Sequence, residues 1–255
     1  VTQTLLAAIP LMWRPQAESS CVVGWGTGVS SGVSTLFPLK EITSIELEQR
    51  VIDASQWFHK VNHNPEADPR TKIEINDGRN FLIASDKKYD VIASEPSNPW
   101  QAGVCNLFTL EFFDICHSRL KPGGILSIWA QSKEVSPDNI RGVLASMRSV
   151  FKNVEVFRSG DSTDIVILAS DGPLTISYEQ LKKVYDNPVV QKEMAKFSLA
   201  TPEALLACMS GSVDSVAQLA SKSSVNTDDH NYFEYSVQKT YESKTYSEPN
   251  RLMFE

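Results

Sequence analysis

The sequence is poor in the residues that staple or metallate a small domain, with four cysteines and four histidines in 255 residues. Cys21, Cys105, Cys116 and Cys208 show no Cys-x-x-Cys spacing and lie in or beside apolar runs, which predicts reduced core residues rather than a disulfide framework or a metal site. His59 and His63 stand one helical turn apart with no third ligand nearby, so they are expected as a solvated pair at a helix end. A basic surplus is missing too. With 24 Lys and Arg against 31 Asp and Glu, the net charge of -7 argues against a duplex-binding surface and suits a cationic ligand better. No apolar run approaches the ~20 residues that cross a bilayer, and no secretory leader is visible. What remains, 42% hydrophobic and 22% charged, is an ordinary globular composition. The chain starts at Val1-Thr2-Gln3 without an initiator methionine and reads as a piece of something longer. Leu5, Leu6, Ile9 and Met12 then predict a helix packed on a sheet edge.

What is present is a glycine-rich turn between an apolar run and a helix-compatible segment: Cys21-Val22-Val23-Gly24-Trp25-Gly26-Thr27-Gly28. About twenty residues later comes Ile42-Thr43-Ser44-Ile45-Glu46, a second apolar run ending in an acid. That order is the sequence form of a βαβ unit that binds a nucleoside. The glycines permit a sharp turn and a close backbone approach, and Glu46 is placed to accept hydrogen bonds from both ribose hydroxyls. A pyrophosphate fingerprint has Gly-x-Gly-x-x-Gly. The tighter Gly24, Gly26, Gly28 spacing suits a nucleoside without phosphate, such as S-adenosylmethionine or its decarboxylated form.

In chain order, strands are predicted at about 20–24, 42–46, 72–76, 89–94, 125–129, 153–157 and 164–169, with helices over 29–36, 48–61, 107–119 and 138–150. Alternation of this kind predicts a Rossmann-like α/β fold, a mainly parallel seven-stranded sheet with helices on both faces, spanning residues 1–170. Residues 171–255 read as a helical extension packed on it. Asp77-Gly78, at the tip of the third strand, faces the nucleoside crevice, where Asp77 can accept from an adenine amino group and can also cap the next helix. Tyr89-Asp90-Val91-Ile92-Ala93-Ser94 empties into Glu95-Pro96-Ser97-Asn98-Pro99-Trp100, so a carboxylate leaves the central strand on a proline-stiffened loop. Glu95 is the candidate catalytic group. Gln131, past the fifth strand, is expected to face the crevice as well.

These residues resemble the spermidine synthase-like family, the polyamine aminopropyltransferases, which share the class I S-adenosylmethionine-dependent fold. The resemblance runs from about Gln3 to Trp129 and rests on Gly24-Trp25-Gly26-Thr27-Gly28, Ile45-Glu46-Leu47, Asp77-Gly78-Arg79, Tyr89-Asp90-Val91-Ile92, Asn106-Leu107-Phe108-Thr109 and Leu120-Lys121-Pro122-Gly123-Gly124. The closing Asn226-Thr227-Asp228-Asp229 with Phe233-Glu234-Tyr235 is similar to the bacterial branch in which this domain is fused behind a membrane-spanning segment. The resemblance implies that Gly24, Gly26, Thr27, Gly28, Glu46, Asp77 and Gly78 hold the donor, that Glu95 is catalytic, and that Gln3, in the donor or amine pocket, and Asn98, Trp100, Gln131 and Asp228 bind substrate. It implies decarboxylated or ordinary S-adenosylmethionine as donor substrate, no metal, a small amine partner and no nucleic acid. A cytoplasmic location, tethered to the inner membrane in the fused branch, is implied too, and a homodimer is left open.

The sequence departs from classical members at three positions. Thr27 stands where they have an aspartate that binds the donor's amino group, Glu95 replaces an aspartate, and Asn98 replaces a second loop aspartate. Their small N-terminal β domain also has no counterpart here. An alkylamine has a pKa near that of lysine, about 10.4, so the protein must bind a cation and remove a proton before the nitrogen can attack. The resemblance makes aminopropyl transfer the leading expectation, while the loss of the acids at Thr27 and Asn98 shifts the balance toward methyl transfer or an unusual acceptor. Methyl transfer to a small amine or another acceptor, and nucleoside or polyamine binding without turnover, are the alternatives.

Overall fold

The computed structural model describes residues 1–96, 101, 103–131, 135–158, 164–236 and 253. The chain opens with α1 (Thr2–Trp13), β1 (Ser19–Val23), α2 (Val29–Thr35) and β2 (Glu41–Glu46). It continues through α3 (Gln49–Ala54), α4 (His59–Asn62), β3 (Thr71–Ile75), α5 (Gly78–Ala84), β4 (Tyr89–Ser94), α6 (Leu110–Ser118), β5 (Leu120–Gln131) and α7 (Pro137–Val150). The hairpin β6 (Asn153–Phe157) and β7 (Asp164–Ser170) follows, then α8 (Tyr178–Tyr185), α9 (Pro188–Ala195), α10 (Pro202–Leu206), β8 (Met209–Gly211) and α11 (Val213–Ala220).

The strands form one sheet in the order β3-β2-β1-β4-β5-β7-β6-β8. Pairing is parallel from β3 to β5 and antiparallel beyond. The mainly parallel order is the expected one, with β8 added as an eighth short strand from the extension. Every residue of β1 and β4 is buried, as befits central strands covered on both faces. The strand order reverses between the parallel neighbours β1 and β4, with β2 and β3 added on one side and β4 and β5 on the other, so the loops after β1 and β4 diverge and leave a crevice at their carboxyl ends.

Three local expectations are corrected. First, α1 lies across the face formed by β4, β5 and β7 rather than on a sheet edge, and Thr4 to Trp13 are all buried. Its far end is pinned by Arg14, whose guanidinium contacts Asp90 at 3.1 Å, while Lys121 reaches the same carboxylate at 2.7 Å. Burial alone would raise the Asp90 pKa. Lys121, the Glu18 N–H, Ser19 and Arg14 outweigh it and hold the group down at about 2. Second, the single helix expected over 48–61 is broken into α3, a 3₁₀ turn at Ser55–Phe58 and α4. The buried Asn62 amide donates to the Ser55 carbonyl at 3.3 Å and to the Thr27 carbonyl at 2.9 Å. It takes the acceptor that the next helical turn would use, and the apolar Trp57 is left exposed. Third, His59 is exposed as expected and bonds Glu66 at 2.5 Å, but His63 is half-buried and bonds the buried Glu193 of the extension at 2.8 Å. The four cysteines are all buried. Among the described residues no helix is long and apolar enough to cross a membrane.

Candidate active site

Gly24, Gly26 and Gly28 follow β1 with φ of 91°, 55° and 80°, the left-handed region where a side chain is strained. Space forbids one as well. A Cβ on Gly24 would sit 2.6 Å from the Glu95 carbonyl oxygen, and one on Gly26 would sit 3.0 Å from Glu95 Oε1. The loop therefore lies directly against the strand exit that carries the candidate base. Backbone bonds from Gly24 to Ile45 (2.9 Å), Glu95 to Val23 (2.8 Å) and Asn76 to Glu46 (2.9 Å) continue the ladder past the strand ends and lock the tips together.

Glu46 holds this corner. Its Oε2 accepts the Trp25 N–H at 3.0 Å and its Oε1 the Glu48 N–H at 3.1 Å. Each ionised carboxylate oxygen has about two lone-pair directions, so both oxygens remain able to accept a ligand hydroxyl while the backbone fixes their aim. Asp77 caps α5 by accepting the Asn80 N–H at 2.8 Å, and the same residue stands on the cleft wall. A Cβ on Gly78 would approach Val23 Cγ1 to 2.4 Å, which explains the glycine.

The cleft bounded by these tips has a volume of about 1020 Å³ and is walled by Gly24, Gly26, Glu46, Asp77, Gly78 and Glu95 among others. It is ample for a nucleoside with a short side chain. Across from the glycine loop, Arg79 pairs with Asp228 (Nη1 to Oδ1 2.9 Å) and donates to the Asn106 carbonyl at 3.1 Å. The Asp228 N–H in turn donates to Glu111 at 2.9 Å. Asp228 thus stands on the wall of the large cleft as part of an ion pair with Arg79, away from the smaller hollow that opens beside Glu95.

Glu95 is the electrostatic centre of the site. Gln3 Nε2 donates to its Oε1, and Ser30 Oγ donates to its Oε2 at 2.6 Å. The Gln3 carbonyl oxygen accepts the Thr27 hydroxyl at 2.9 Å, which orients the amide so that its NH₂ faces the carboxylate. Burial is the largest influence on Glu95 and raises its pKa. The Ser30 and Gln3 bonds oppose it, the Glu46 charge adds to it, and the group comes to about 7. A base poised there exchanges protons readily at neutral pH. Ser30 Oγ also lies 3.1 Å from the Gln3 backbone carbonyl. Its one proton can serve the ionised carboxylate or, once Glu95 is protonated, turn to that carbonyl.

A second hollow of about 290 Å³ opens beside Glu95, bounded by Val1, Thr2, Gln3, Leu6, Trp129 and Asp164. Glu95 and Trp129 wall both spaces. Of the residues expected from sequence, Gly24, Gly26, Glu46, Asp77, Gly78, Glu95 and Asp228 stand on the large cleft and Gln3 on the small hollow. Thr27, Gly28 and Gln131 stand on neither wall. Thr27 is engaged with Gln3, Gly28 opens α2, and Gln131 lies at the end of β5, two residues beyond Trp129. Asn98 and Trp100 lie outside the described residues. Sequence reasoning missed Ser30, Trp129 and Asp164. Ser30, two residues past the last glycine of the loop, carried the one local signal, a hydroxyl in the first turn of a helix aimed at the strand tips.

Residues 1–159 match the family model described as the spermine/spermidine synthase domain. A polyamine aminopropyltransferase of Nitrosomonas europaea is 31% identical over 145 residues, 56% of this chain and 44% of that protein. One of Bacillus mycoides is 26% identical over 211 residues, 80% of this chain and 76% of that protein. The chain spans less than half the length of the first of these relatives. The crystal structure of spermidine synthase from Thermotoga maritima superposes with a TM-score of 0.67 at 21% identity, covering 86% of this chain and 74% of that one. The fold, the glycine loop with its strand-tip acids, and the matched span of more than half the sequence agree: this chain belongs to the spermine/spermidine synthase family.

Proposed function

We propose that this chain transfers an aminopropyl group from decarboxylated S-adenosylmethionine to a small amine, the step that extends a polyamine. The nucleoside would occupy the large cleft, with its ribose hydroxyls on Glu46 and its adenine beside Asp77 and Gly78. The amine would enter the small hollow. Glu95 would bind the incoming ammonium, take one proton and leave a neutral nitrogen. That nitrogen forms a bond to the methylene beside the sulfonium as the carbon–sulfur bond breaks, its electron pair stays on sulfur, and methylthioadenosine leaves. Holding both partners on either side of one carboxylate supplies the orientation that an in-line displacement needs.

The observation that carries this reading is the position of Glu95 on the wall shared by the two hollows, with a pKa of about 7. Methyl transfer is favoured by one specific feature. The Thr27 hydroxyl is engaged with Gln3, so no carboxylate at that position repels the α-carboxylate of ordinary S-adenosylmethionine. The two reactions leave different products. Incubating the protein with each donor and a panel of amines should give methylthioadenosine from the decarboxylated donor. Release of S-adenosylhomocysteine from the ordinary donor, without methylthioadenosine from the other, would replace this reading with methyl transfer.

A further inference from the structure

The sheet ends at β3, and on its outer side that strand has no neighbour among the described residues. The Ile42 N–H donates to the Arg70 carbonyl and the Asn76 N–H to the Glu46 carbonyl, each at 2.9 Å, so the even-numbered residues of this stretch turn their backbone groups toward β2. Ile73 and Ile75 turn theirs outward, where neither meets a partner among the described residues. Thr71 also faces out, with its N–H taken by the Asp68 carbonyl at 2.9 Å and its C=O left over. Open edges recruit another strand, and proteins ordinarily blunt them with a proline, a bulge or a lysine. β3 has no proline and pairs with β2 in unbroken register. Its one lysine, Lys72, is followed two residues later by Glu74 on the same face, so the blunting charge carries its own complement. Glu74 forms no ion pair among the described residues, and Lys72 shares Glu41 with Lys87, which can hold that carboxylate alone.

Thr71-Lys72-Ile73-Glu74-Ile75 is therefore self-complementary when laid antiparallel on a second copy about a twofold axis at Ile73. The two Ile73 residues would exchange both backbone bonds, and each Ile75 N–H would reach the Thr71 carbonyl of the second copy. Lys72 would stand opposite Glu74 twice, in the pairs without backbone bonds, where facing Cα atoms come to about 4.5 Å. Slipping the register two residues either way sets Lys72 against Lys72 or Glu74 against Glu74, which is repulsive. On the other face Ile73 runs beside Ser44, whose hydroxyl lies 2.8 Å from that of Ser31 in α2, so Ile73 and Ile75 point to the side that carries α2 and α4. There Ile75 is 45% exposed, and Trp57 and Val61 of the segment after β2 are 79% and 52% exposed, apolar surface that a second copy would cover.

We propose that β3 is the interface of a homodimer, in which two copies join edge to edge as one continuous sheet about a twofold axis at Ile73. The strand ends two residues before Asp77 on the wall of the large cleft, so the pairing sets two such clefts on one sheet. It does not depend on the transfer reading.

The test is sedimentation velocity of the full chain over about a hundredfold dilution series. The unaltered protein should run as a dimer that dissociates on dilution. E74K turns both opposite-charge pairs into lysine pairs, and K72E turns both into glutamate pairs. Each should raise the dimer dissociation constant by about 10–100-fold. Mixed in equal amounts, the two variants should associate with each other about as tightly as the unaltered protein does with itself, because one then carries both positive charges and the other both negative ones. A monomer at every concentration overturns the proposal and leaves the edge to a strand from a different protein. A dissociation constant unmoved in either charge variant, or a mixture that stays monomeric, overturns it as well.

Discussion

The large cleft and the small hollow meet at Glu95 but are assembled by different means. Glu46, Asp77 and Glu95 stand at or just past the carboxyl ends of β2, β3 and β4, and the glycine loop follows β1. These are neighbouring strands whose pairing continues into the loops. Each of these acids sits within a residue or two of a strand end, so the sheet itself delivers it, whereas Asp228 reaches the far wall of the cleft from the extension through its pair with Arg79. The small hollow draws Thr2 and Gln3 from α1, Trp129 from β5 and Asp164 from β7. Its shape depends on a helix lying correctly across three strands. The acids of the first site are set by strand pairing; the second site inherits every error in the docking of α1.

The sharpest way to break that contrast is at the shared wall. E95Q should lower amine-dependent turnover by about 10²–10⁴-fold, the usual contribution of a positioned base, while nucleoside affinity measured by calorimetry stays within a few fold. A comparable loss of nucleoside affinity would mean that the two spaces are not independent. Stability should move the other way. Glu95 is raised from 4.5 to about 7. Between those values the folded protein holds a proton that the unfolded chain has released, so stability falls as pH rises through that window. The difference is on the order of 3 kcal/mol. E95Q should therefore melt higher than the unaltered protein at pH 8 and show no such gain at pH 4.

A smaller effect is expected on the donor side alone. E46Q keeps the shape but weakens both backbone anchors and the hydroxyl acceptors, and should raise the donor KM by about 10–100-fold with the amine KM unchanged within a few fold. If the amine KM rises in parallel, the glycine loop also shapes the small hollow.

Q3A acts on the hollow's side of the wall. The Gln3 bond lowers the Glu95 pKa, so its loss should move the rising limb of the pH–rate profile above 7. Activity should be depressed at pH 7 and largely recovered at pH 9. A uniform loss at both pH values would show that Gln3 places substrate rather than tunes the base.

The same contrast explains what the sequence revealed. Glu46, Asp77 and Glu95 were legible because strand, turn and acid are contiguous, and a parallel sheet places such acids together whatever the rest of the chain does. Asp164 and Trp129 were not, since nothing near either residue says that α1 will cross between them. The α1 sequence is apolar on nearly every side, so its pattern named a buried helix without naming the face it covers. Gln131 lies on the same side of β5 as Trp129 by alternation, yet falls beyond the wall. The break of the helix expected over 48–61 hinges on Asn62 reaching back to Ser55 and across to Thr27. That long-range use of a side chain cannot be read from an apolar period.

That last element frames the weakest perturbation. Next to Asn62, His63 adopts a left-handed φ of 62° and bonds Glu193, whose side chain is only 5% exposed and also pairs with Lys196 at 2.5 Å. H63A removes one partner from a buried carboxylate that keeps another, so it should cost about 1 kcal/mol and lower the melting temperature by about 2–4 °C. Its effect on catalysis discriminates further. The glycine loop is braced by Asn62 through the Thr27 carbonyl, a contact that does not pass through His63 or the extension. The donor KM of H63A should therefore stay within about twofold, as expected where a perturbed site shares no partners with the one measured. A larger rise would mean that α9 supports the loop through this histidine, and the donor cleft would then depend on long-range packing as much as the hollow does.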